Sequence, residues 1–138
     1  MIGGDGERQT LRLVAEYGDA CNIVLPSPLA DERFGVLANG HGDVDGWLSW
    51  VGGYLRRKFA VLDEHCARVG RPPDEIERTI VTYLDMEPEG MHPEQLIHVC
   101  DSLHGMGVDH VILNVPTAHR LDPLVLIGES VLPALADE

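Results

Sequence analysis

Lysine and arginine are scarce in this chain. There are 10 of them against 23 aspartates and glutamates, a formal charge of −13 over 138 residues. Such a surface repels a nucleic-acid backbone and an anionic membrane, which excludes both as partners. Any anionic ligand must be held by backbone dipoles and a few local cations. Cysteine is also sparse. Cys21, Cys66 and Cys100 are widely spaced and odd in number, which makes neither a disulfide framework nor a zinc ribbon and fits a reducing cytoplasm. No basic stretch leads into an apolar run, so no signal peptide is expected. No apolar stretch approaches the length of a membrane span. Internal repeats, low-complexity tracts and a Gly-x-Ser-x-Gly nucleophile elbow are all missing. Among the histidines, His98 and His104 flank Cys100, and Cys100 and His104 share a helix face. Cys100 belongs to an apolar stripe, however, and no second cluster completes a tetrahedral set, so no metal site is expected.

What is present is enough apolar surface, 44% of residues, for one domain with its own core. Met1 and Ile2 read as the stub of a buried strand. Residues 7–17 have Leu11, Val14 and Tyr17 at helical spacing, with Gly18 as a stop. Residues 19–25 read as a strand closed by Pro26 and Pro28. A Gly/Asp/Pro-rich stretch follows over 26–46, with a turn of helix near 31–37. The clearest helix is 47–69, where Leu48, Val51, Leu55, Phe59, Leu62, Cys66 and Val69 recur in steps of three and four. Gly52-Gly53 weakens its middle. Arg56, Arg57, Lys58, Glu64 and Arg68 lie off that stripe and read as a solvated face. Residues 79–84 are a β-branched strand, 93–106 a helix opened by Pro93, and 109–115 a nearly continuous apolar strand. Leu124, Ile127, Val131 and Leu135 mark a closing helix interrupted near Pro133.

Strands and helices that alternate in this way predict right-handed βα crossovers and a parallel sheet. Four βα units are half of an eight-unit barrel, which typically needs about 250 residues. Two open sheet edges would drive self-association. Asn22 and Asn114 fall near strand C-terminal ends, the active face of such barrels; turn or strand-end hydrogen bonding is the alternative account of each.

The turn after the first strand carries the functional argument. Gly3, Gly4 and Gly6 form a glycine-rich bend feeding a helix, which gathers unpaired N–H groups and the positive end of the helix dipole in one place. That is a cup for a phosphate, although a plain strand-to-helix turn uses the same glycines, and Asp5 and Glu7 add negative charge beside it.

Several stretches resemble the luciferase-like monooxygenase family, and most closely its members that use the deazaflavin coenzyme F420. They are Ile2-Gly3-Gly4-Asp5-Gly6-Glu7-Arg8-Gln9-Thr10-Leu11 through Ala15 with Asp19-Ala20-Cys21-Asn22, the segment from Arg57 to Thr79 including His65-Cys66 and Val69-Gly70-Arg71, Gly107 to Leu113, and Val131-Leu132-Pro133-Ala134-Leu135. The resemblance implies the C-terminal half of a (β/α)8 TIM barrel: one luciferase-like domain over 1–138, the last four βα units, with a long insertion at about 26–54. It implies a cytoplasmic oxidoreductase that moves a hydride between F420 and an organic substrate. The alternatives are an FMN (flavin)-dependent monooxygenase, and a non-catalytic half-barrel acting through self-association. By position, the cofactor phosphate falls to Gly3, Gly4, Asp5, Gly6, Glu7 and Arg8, acting through main-chain N–H groups. Ring-facing and substrate-facing groups of the family lie largely on earlier strands, so no catalytic residue is assigned here. The implied partners are the small-molecule cofactor and substrate, with a second copy or an N-terminal half completing the barrel. Asp5 stands where the family often has a further glycine.

Overall fold

The computed structural model describes residues 1–26, 43–84, 86 and 90–136. The elements alternate: β1 (Ile2–Gly3), α1 (Thr10–Tyr17), β2 (Ala20–Val24), α2 (Val44–Val69), β3 (Glu77–Tyr83), α3 (Pro93–Gly105) and β4 (His110–Asn114). A closing segment follows, made of α4 (Asp122–Leu126), a π turn (Ile127–Val131) and α5 (Leu132–Ala136). The four strands form one parallel sheet in the order β1-β2-β3-β4. The chain is thus α/β, built from successive parallel βα units. Consecutive parallel strands lying side by side, with right-handed crossovers, place every connecting helix on the same face of the sheet.

The strand registers sort the side chains into two faces. Cys21, Ile23 and Leu25 of the β2 run alternate with Asn22 and Val24, and Ile80, Thr82 and Leu84 alternate with Val81 and Tyr83. The first set of each is buried under α1, α2 and α3, while Val24 and Tyr83 stay about half exposed. Ile112 lies beside Val81 and Asn114 beside Tyr83. The sheet therefore has one helix-covered face and one uncovered face, with Val24, Val81, Ile112 and Tyr83 on the latter.

Burial explains why α2 holds together. Trp47, Val51, Leu55, Leu62 and Cys66 are fully buried, so tertiary contact outweighs the low helix propensity of Gly52-Gly53. The helix begins at Val44 rather than Trp47, because the Asp43 carboxylate accepts from the Gly46 N–H at 2.7 Å and caps it. Residues 44–46, read from the sequence as the end of the Gly/Asp/Pro-rich stretch, are its first turn, and residues 47–54, which the resemblance counts within the insertion, are helical as their apolar spacing predicts. The rest of that stretch, including the turn of helix expected near 31–37, falls largely on residues 27–42, outside the described residues. Pro93 opens α3 at its first position, and Gln95 Oε1 accepts from the His92 N–H at 3.0 Å. Near Pro133 the chain widens into a π turn instead of breaking, which accommodates a residue with no N–H to donate.

Candidate functional site

The glycine turn departs from its sequence reading at the helix start. Residues 7–9 are a turn and α1 begins at Thr10, not Glu7. The Gly4 N–H donates to the Asn22 carbonyl at 2.9 Å, so it extends the β1–β2 ladder and is not available to a ligand. Beyond it, no backbone carbonyl among the described residues accepts from the N–H groups of Glu7, Arg8 or Gln9. The Gly6 carbonyl accepts from Leu11 at 3.0 Å and closes the turn onto the helix.

The glycines are not equivalent. Gly4 has φ +121°, a conformation that L side chains rarely adopt. A Cβ on Gly6 would sit 2.9 Å from Thr10 Oγ1, whereas a Cβ on Gly3 would meet nothing within 4 Å.

The turn is held from outside by α2. Lys58 is only 8% exposed, and its Nζ donates to the Asp5 carbonyl at 2.8 Å and to Glu7 Oε1 at 3.1 Å. Arg57 Nε lies 2.9 Å from the same Glu7 oxygen. Tyr54 donates its hydroxyl to the Asp5 carboxylate, and Lys58 Nζ lies 5.1 Å from the centre of the Tyr54 ring. His65 Nε2 is 2.8 Å from the Glu7 carbonyl, which can only accept, so Nε2 carries the proton. Hydrogen bonds from Arg57 and then Lys58 hold the Glu7 carboxyl below its ordinary value of 4.5. Burial, aided by the bond to Asp5, pushes the Tyr54 phenol up. The cluster thus sets the Glu7 carboxyl group between the Arg57 and Lys58 side chains, with the Tyr54 hydroxyl on the Asp5 carboxyl group.

These groups border a shallow depression of about 670 Å³ lined by Asp5, Gly6, Glu7, Arg8, Gln9, Thr10, Arg57 and Lys58. Of the six residues assigned to a phosphate from the sequence, four line it: Asp5, Gly6, Glu7 and Arg8. Gly3 and Gly4 do not; they pair with β2 and set the angle at which the turn leaves it. Amides without a backbone acceptor beside two cations suit a small polyanion, although Glu7 already shares those cations.

Sequence reasoning missed Arg57 and Lys58, which were assigned to a solvated face. The signal was there for Lys58: Val51, Leu55, Lys58, Leu62 and His65 follow steps of 4, 3, 4 and 3, a second inward seam beside the apolar stripe. Asn22 takes the hydrogen-bonding role of its two readings. It lies inside β2 opposite Gly3 and Thr79, with Oδ1 3.0 Å from the Thr79 hydroxyl, and serves the sheet. Asn114 does end β4, exposed beside Tyr83. His98 pairs with Asp45 at 3.0 Å, while His104 lines a different groove. Among the described residues, no three His, Cys, Asp or Glu side chains gather as a metal site, and no helix is long and apolar enough to cross a membrane.

No protein-family model matches the chain, and no curated protein matches it. The luciferase-like resemblance therefore rests on the sequence motifs alone.

Proposed function

We propose that this chain is the cofactor-phosphate half of a luciferase-like (β/α)8 oxidoreductase, and that residues 5–10 hold the phosphate end of F420. One observation carries the reading. The glycine turn leaves the C-terminal end of a parallel strand, opens α1, and keeps the amides of Glu7, Arg8 and Gln9 without backbone acceptors beside Arg57 and Lys58. In barrels of this kind ligands bind at the C-terminal ends of the strands. A four-strand parallel sheet that runs in chain order, with its helices on one face, is how half of such a barrel is built.

The donor chemistry fits a phosphate group. Backbone N–H groups at a helix start favour an anion, and Arg57 adds a charge-assisted contact from an exposed position. Lys58 is buried, so its part is to fix the turn and offset its negative charge. Arg8, exposed at the rim, contributes less. The deazaflavin supplies the hydride chemistry when bound, and the protein supplies binding and orientation.

The test follows backbone amide shifts during titration with F420, with FMN and with inorganic phosphate. The expected result is movement of the Asp5 to Thr10 amides, F420 acting at lower concentration than FMN. Gly4→Val should abolish the response, because a branched side chain cannot follow the Gly4 backbone, while Arg8→Ala should retain most of it. If none of the three ligands shifts those amides, the phosphate does not sit on this turn.

A further inference from the structure

One side chain of the glycine turn already holds the cations beside it. The Glu7 carboxylate meets Arg57 along the edge of the guanidinium, with Oε1 2.9 Å from Nε and Oε2 3.1 Å from Nη2. Oε1 also accepts from Lys58 Nζ at 3.1 Å. Two parallel N–H bonds from one planar fork are how arginine holds a carboxylate, and it holds a phosphate in the same way. All three residues line the depression at the turn. The contact is separate from what shapes the turn backbone. The Gly4 N–H donates to the Asn22 carbonyl, Lys58 Nζ to the Asp5 carbonyl, His65 Nε2 to the Glu7 carbonyl and the Leu11 N–H to the Gly6 carbonyl. None of these bonds uses the Glu7 carboxylate. The Arg57 side chain is 72% exposed and that of Glu7 28%, so the fork is open to water, and exposed ion pairs of this kind are weak.

We infer that Glu7 is an internal competitor for the phosphate group of the ligand. Its carboxylate closes the Arg57 fork in the free protein. An incoming phosphate takes the fork from it, and the Glu7 side chain turns out to solvent while the backbone of the turn keeps its shape. Lys58 retains its bond to the Asp5 carbonyl throughout. Arg57 and the amides of Glu7, Arg8 and Gln9, which have no backbone acceptor, then hold the same group. Only an anion that offers two oxygens to the fork replaces the carboxylate without loss, which favours a phosphate over a single-atom anion such as chloride. The ligand therefore binds more weakly than the donors alone would allow, and Glu7 sets how much more weakly. This inference rests on the proposed reading of the turn as a phosphate site.

The experiment titrates the full chain with inorganic phosphate at constant ionic strength and follows the backbone amides of Asp5 to Thr10. It compares the wild type with Glu7→Gln, Arg57→Gln and the double variant, each checked for folding by circular dichroism. Glu7→Gln should bind phosphate about two- to fivefold tighter, the worth of an exposed ion pair. Arg57→Gln should cost little alone and clearly more in the Glu7→Gln background, because only there is the fork free for phosphate. Glu7→Asp keeps the charge but shortens the reach to Arg57; it should also bind tighter than the wild type, and it decides the matter if Glu7→Gln fails to fold. A Glu7→Gln protein that binds no tighter overturns the inference. So does an equal gain with and without Arg57, or no gain in Glu7→Asp, since Glu7 would then act only as a nearby negative charge. These outcomes leave the phosphate site standing, whereas the absence of binding in every protein overturns the site and the inference together.

Discussion

The three glycines of the turn should respond very differently to alanine. Gly4 sits at φ +121°, and a Cβ there would also lie 3.3 Å from Thr10 Cγ2. Holding an L residue in such a sparsely populated region costs about 1–3 kcal/mol. Against this, removing glycine stiffens the unfolded chain and returns about 0.4–1 kcal/mol wherever the native backbone suits alanine. Gly4→Ala should therefore destabilise by about 1–2 kcal/mol. Gly3 has no atom within 4 Å of a Cβ and no positive φ, so Gly3→Ala should be neutral or stabilising by up to about 1 kcal/mol. Gly6 falls between, because the Thr10 hydroxyl at 2.9 Å is a side-chain tip that can move. Urea unfolding with unchanged slope reads these differences directly. Equal losses for Gly3→Ala and Gly4→Ala would refute the argument, since the turn would then owe its shape to something other than the Gly4 backbone.

Two further outcomes follow from the ionisable groups. Glu7 has its carboxyl held down by Arg57 and Lys58, so the stability this grip supplies is fully present above the ordinary value of 4.5 and is lost as pH falls through the lower folded value. The stability difference between wild type and Glu7→Gln should thus be clear at pH 7 and disappear in acid; a difference that persists at the acid end counts against the ion cluster. Burial pushes the Cys21 and Cys100 thiols up to about 11, and Cys66 is raised as well, again chiefly by burial. All three are free thiols, so a thiol-reactive dye at pH 7 should label the native protein slowly and the unfolded protein quickly. Rapid native labelling of Cys21, which has no exposed surface, would show that the sheet opens locally.

The alternation of elements was legible in the sequence because each βα unit carries its own local pattern. The apolar stripe of α2, the proline that opens α3 and the near-continuous apolar run of β4 depend on neighbours a few residues away, and periodicity reads such neighbours well. Glycine and proline punctuation located the glycine turn for the same reason. What local pattern could not supply was the identity of the groups around that turn. Lys58 looked like a surface cation because its partners, Asp5 and Glu7, lie 53 and 51 positions earlier in the chain. Only the packing of α1 on α2 brings them together and makes burial of a charge tolerable. Asn22 had two readings in the sequence, a ligand contact or a hydrogen bond within the sheet, and the register with Gly3 and Thr79 favours the second. The sequence by itself determined which segments are helix and strand and where the chain turns, since those choices are made over distances of one or two turns. The tertiary structure alone decided which turn amides lack a backbone acceptor, which cations stand beside them and which sheet face remains uncovered, since each depends on contacts between residues far apart in the chain.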